Sequence, residues 1–198
     1  ARQKAVECLL SVCYEYNASL HLELLATAIF GEILTLSIAQ REHMPQLICI
    51  SLSIASQMLH VDPKINEKLQ SIYKVREEDF ENQDFSEIVQ SLEDETSDLI
   101  LSNLFDYIGG PHALVVTSFF FLEAQLLTGL SLVYDHPTLA ISAWRLAQEC
   151  LHIRLSTSLP GISFQDSNSC KTEMAKLVRI ILIVNLSCVI RKYQTEKS

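Results

Sequence analysis

The chain has 198 residues, 48% of them hydrophobic, and carries 24 acidic against 15 basic side chains for a formal net charge of −9. That length can bury one large core or two small ones. Five glycines are too few for a hairpin-rich sheet protein, and the acidic balance works against nucleic acid, whose phosphates require clustered Lys and Arg.

Regular period-two runs bounded by turn residues are absent, so the expected class is all-α. The six cysteines are scattered with no Cys-x-x-Cys pair, a pattern expected of buried, reduced thiols in a nuclear or cytoplasmic protein. The opening ARQKAVECLL lacks the layout of a signal peptide. The longest apolar run, from Ile180 to Ile190, is broken by Asn185 and flanked by Arg179 and Arg191. It is too short to cross a bilayer, and no membrane partner is expected.

Residues 2–16 place Val6, Leu9, Leu10, Val12, Cys13 and Tyr16 at helical spacing, and Asn17 with Ser19 supply a turn and an N-cap. Residues 20–36 carry Leu20, Leu24, Ile29, Ile33 and Leu34 on a second helix, followed by a polar connection over 37–43. The stretch between Pro45 and Pro63 is apolar nearly all round, which predicts a helix enclosed by other helices. Its polar members are small (Ser51, Ser53 and Ser56, with Cys49), so neighbours can approach closely. Pro45 suits a first turn, and Asp62-Pro63 ends the segment. Ile65, Leu69, Ile72 and Tyr73 predict one further short helix.

Residues 77–98 hold ten acidic groups and no Lys or Arg. They suit a solvated loop and helix start, or a docking surface for a basic partner. Helical periodicity resumes from Ser86 to Ile108 and stops at Gly109-Gly110-Pro111. Residues 113–133 are strongly apolar, 137–152 form another helix, SLPGISFQDSNS reads as a loop, and a last helix covers 171–192. The helix at 45–60 recurs 92 residues later: Pro45, Leu47, Ala55, Leu59 and His60 match Pro137, Leu139, Ala147, Leu151 and His152, five identities in sixteen positions. An internal repeat of about 90–100 residues is expected.

No catalytic constellation stands out. His21, His43, His60, His112, His136 and His152 form no pair at metal-ligand spacing beside a carboxylate, no Gly-rich phosphate loop exists, and no Ser or Cys sits in a nucleophile motif. The expectation is a protein that is not an enzyme and holds neither metal nor cofactor.

In this order the segments resemble the cyclins. RQKAVECLLSV is similar to the family's first-helix motif, with Arg2, Val6, Glu7 and Leu9 in register. IASQMLHVDP stands where cyclins carry Ile-Ala-Ser-Lys. FSEIV with LILSNLFDYIGGP, YDHPTLAISAWRLA and RKY resemble later motifs of the two boxes. The resemblance implies tandem five-helix cyclin boxes, 1–108 and 109–198, the second shortened.

It also implies a non-catalytic regulatory subunit, monomeric before it binds a cyclin-dependent-type protein kinase. The kinase face would comprise Ile54, Gln57, Met58, His60, Ser97, Asp98, Leu101 and Ile108. A substrate-docking patch would comprise Arg2, Val6, Cys8 and Leu9. Several polar landmarks differ: Gln57 stands for the family's Lys, Ser97 for its Glu, Gly31 for the Asp that pairs with the first-helix Arg, and Cys8 for a Trp. The alternative is a cyclin-fold adaptor independent of any kinase. A DNA-binding transcription-factor relative is disfavoured by the charge, and an unrelated helical enzyme is the residual reading.

Overall fold

The computed structural model describes residues 2–36, 44–60, 71, 96–155, 164–184 and 188–195, and their secondary structure is entirely helical. The chain divides into two compact units, Ala1–Asp94 and Glu95–Ser198.

In the first unit, helix α1 (Arg2–Glu15) buries Val6, Leu9, Leu10, Val12 and Cys13. It closes in a Schellman motif: Asn17 is left-handed at φ 50°, its N–H donates to Tyr14 O at 3.1 Å, and Ala18 N–H donates to Cys13 O at 2.9 Å. Helix α2 (Leu20–Leu36) then starts on Ser19, whose Oγ accepts from Leu22 N–H at 3.2 Å. The expected turn and cap are both present. Helix α3 (Met44–Met58) buries a continuous set from Leu47 to Leu52 together with Ala55 and Ser56. Ser51 satisfies its own hydroxyl by donating to Leu47 O at 2.7 Å, so a fully buried Ser is tolerated there. The three helices pack pairwise. The short helix expected over 65–73 lies outside the described residues apart from Ser71, as does the acidic stretch up to Glu95.

The second unit is organised on helix α6 (His136–Leu151), against which α4 (Ser97–Ile108), α5 (His112–Ala124) and α7 (Phe164–Val184) all pack. Asp135 caps α6, its carboxylate accepting from Thr138 N–H at 2.9 Å, with Pro137 in the first turn. Short 3₁₀ turns, Gln125–Leu127 and Leu130–Leu132, connect α5 to α6. Gly109 ends α4 at φ 70°, ψ −174°, a conformation that favours glycine, and its N–H donates to Phe105 O at 2.7 Å. Helix α8 (Cys188–Thr195) packs on α5 through the ion pair Lys192–Glu123 at 3.1 Å and the edge-on contact of Tyr193 with Phe120.

Helix α4 packs on α5 and α6 and so belongs to the second compact unit. Two expectations change. The apolar run 113–133 is helix only to Ala124 before it breaks into 3₁₀ turns. The last helix begins at Phe164 inside the expected loop and ends at Val184, with a separate helix from Cys188. Its polar first turns are held by α6: Ser142 Oγ donates to Ser167 O at 3.0 Å and Arg145 Nη1 to Ser167 Oγ at 2.6 Å. Those tertiary bonds offset the low helix propensity of the Ser- and Asn-rich sequence.

The two matched segments also follow the same backbone course within their own units. Each helix has proline as its second residue, and Ala55 and Ala147 are both fully buried. Each segment turns left-handed at its histidine, φ 52° at His60 and 55° at His152. His60 N–H donates to Gln57 O at 3.2 Å and His152 N–H to Glu149 O at 3.3 Å, at corresponding positions.

Candidate functional site

The C-terminal end of α3 is the open part of the first unit's expected partner surface. Gln57 and His60 are exposed, and Ile54 and Met58 are half-buried. Neutral side chains therefore present this surface, and apolar contact with hydrogen bonding is the chemistry it offers.

On α1 the expected docking patch resolves differently. Val6 and Leu9 are fully buried core residues, and only Arg2 and Cys8 remain half-open. Burial lowers the pKa of the Arg2 guanidinium, and its Nε and Nη2 are buried without a hydrogen-bond partner among the described residues. Gly31 can supply no carboxylate. Cys49 sits in the core, its thiol pushed up to about 12, first by burial and then by the neighbouring Cys8.

The remaining expected contact residues lie on α4, in the second unit. Ser97, Asp98 and Leu101 are buried, at 1%, 7% and 0% exposure, and Ile108 is half-buried. The Asp98 carboxylate accepts from Thr96 Oγ1 at 2.6 Å, and the Ser97 hydroxyl has no partner among the described residues. The face of α4 that is open carries Leu99, Asn103, Asp106 and Tyr107, the last 87% exposed. None of these four was anticipated, because helical spacing groups residues by face without saying which face neighbours cover.

A second feature escaped the sequence reading. The end of α6, residues 152–155 and the first turns of α7 line an open cavity of about 640 Å³. Among the described residues, Arg145, Arg154 and Lys171 line it with His152 and one carboxylate, Glu149. Lys171 pairs with Glu149, and Arg145 is held by Ser167. Arg154 is exposed and has no ion pair among the described residues. The spacing of Arg145, His152 and Arg154 was visible in sequence, but Lys171 joins them only through the packing of α7 on α6.

Among the described residues no group of three His, Cys, Asp or Glu is placed to hold a metal ion, and no helix is long and apolar enough to cross a membrane. Comparison with protein-family models gives no match, and comparison with curated proteins gives none either.

Proposed function

We propose that the chain is a cyclin-like regulatory subunit without catalytic activity, which binds a protein kinase through the first unit and acts in the nucleus or cytoplasm. The observation that carries this reading is the repeated helix, entered by a proline and closed by a left-handed histidine, in each of two helical units. The order of cyclin-like motifs is the sequence counterpart, and tandem cyclin boxes are the arrangement it proposes. The kinase-facing surface would centre on Gln57, Met58 and His60, with Ile54 contributing from its half-buried position. With Gln57 neutral, affinity rests on apolar anchoring rather than on a charged bond.

The test is affinity purification from the native cell, paired with Met58→Glu. A protein kinase should co-purify with the wild-type chain, and the variant should lose it while its melting temperature changes little, as expected for a half-exposed position. A kinase retained undiminished by Met58→Glu removes this surface. If no kinase accompanies the wild type, the adaptor reading takes over. The burial of Ser97, Asp98 and Leu101 favours that second reading, since those side chains offer little contact area to a partner.

A further inference from the structure

The cavity beside α6 concentrates positive charge in an acidic protein. Among the described residues, three of the chain's 15 Lys and Arg residues line it with one carboxylate, Glu149, which pairs with Lys171. The repeat shows how this differs from the first copy: Arg145 corresponds to Ser53 and Arg154 to Asp62, so one neutral and one acidic position both become arginine. The corresponding histidine is kept at His60 and His152.

At the end of α6 the carbonyls of Glu149 and Gln148 accept from His152 N–H at 3.3 Å and Ile153 N–H at 3.0 Å, which caps two of its last carbonyls and lessens their repulsion of an anion. Arg145 is held on Ser167 by a 2.6 Å bond, which pre-orders one guanidinium, while Arg154 stands open at the rim. A fixed cation with a second, freely reaching one suits a tetrahedral dianion, which offers several acceptor oxygens.

The open cavity is much larger than a phosphate ion and leaves room for a body that carries the anion. Among the described residues no aromatic side chain lines the cavity, so they give a nucleobase no stacking platform. Asn168 supplies an amide for peptide groups, Gln148 Nε2 donates to Leu155 O at 3.3 Å, and Ile153 and Leu155 supply a short apolar wall.

We infer that this cavity binds a phosphorylated serine or threonine side chain presented by a protein partner. The inference goes beyond kinase binding and stands apart from it, because it uses only residues of the second unit. A chain that recruits no kinase would still have the pocket.

The experiment is fluorescence anisotropy of the full chain with labelled short peptides of randomised flanks around a central phosphoserine, against the same pool with serine. The phosphorylated pool should bind at least about tenfold more tightly, with affinity falling as salt is raised. Arg154→Glu should weaken it by a further factor of about ten or more, Arg154→Lys less, and Lys171→Gln should weaken it independently. Because Arg154 is exposed, thermal melts of its variants should overlay the wild type, which separates lost binding from lost fold. Equal binding of the two peptide pools overturns the inference. So does full binding by a folded Arg154→Glu variant, or a single-stranded oligonucleotide that binds as tightly as the phosphopeptides.

Discussion

Cys49 shows how one buried atom sets a measurable property of the first unit. At 2% exposure and beside Cys8, its thiol is pushed up to about 12 from an ordinary 9.0. A pKa raised on folding contributes stability that is complete below the unfolded value and is lost as pH rises from about 9 toward 12. Unfolding free energies from urea titrations across that range should fall more steeply for the wild type than for Cys49→Ala, by about 1 kcal/mol per pH unit above 9. Parallel slopes would show that the thiolate is tolerated in place. At this scale the sequence announced residues whose role is local. Asn17 and Ser19 act on backbone groups a few positions away, so the turn and the cap could be read directly. Ser97, Asp98 and Leu101 could not be placed, because their burial depends on segments distant in the chain.

Helices α5 and α8 are joined by the same kind of distant relation. Glu123 is 2% exposed and its partner Lys192 lies 69 positions on. Replacing Lys192 with Leu takes a cation away from a buried carboxylate and should cost up to about 3–5 kcal/mol, whereas Glu123→Leu together with Lys192→Leu should recover much of that loss. Chemical denaturation of the two single variants and the double variant closes the cycle. A double variant no more stable than Lys192→Leu would show that packing, rather than the stranded charge, carries the cost. Helices whose apolar residues recur at helical spacing, such as α1 and α2, were legible almost to their ends. Helix α7 was not, since its Ser- and Asn-rich start becomes helical only with Ser142 and Arg145 of α6 to bond.

For the molecule as a whole, the boundary ahead of α4 has a direct consequence for fragments. Residues 95–198 should express as a cooperatively melting unit. Residues 109–198 lack Leu101 and Leu104, which α4 buries, and should give a broad transition or none. Circular dichroism melts of both fragments decide this, and two equally sharp transitions would show that the rest of the second unit folds without α4. Charge divides as unevenly as structure: the first unit holds 15 acidic and 7 basic residues, the second 9 and 8. An anion diffusing toward this protein therefore meets net repulsion at long range and attraction only within a few ångströms of Arg145, Arg154 and Lys171. Added salt then has opposite effects on the two halves of the encounter. It speeds arrival by screening the far field and shortens residence by weakening the near one, so the cavity is tuned for selectivity at contact rather than for speed of capture.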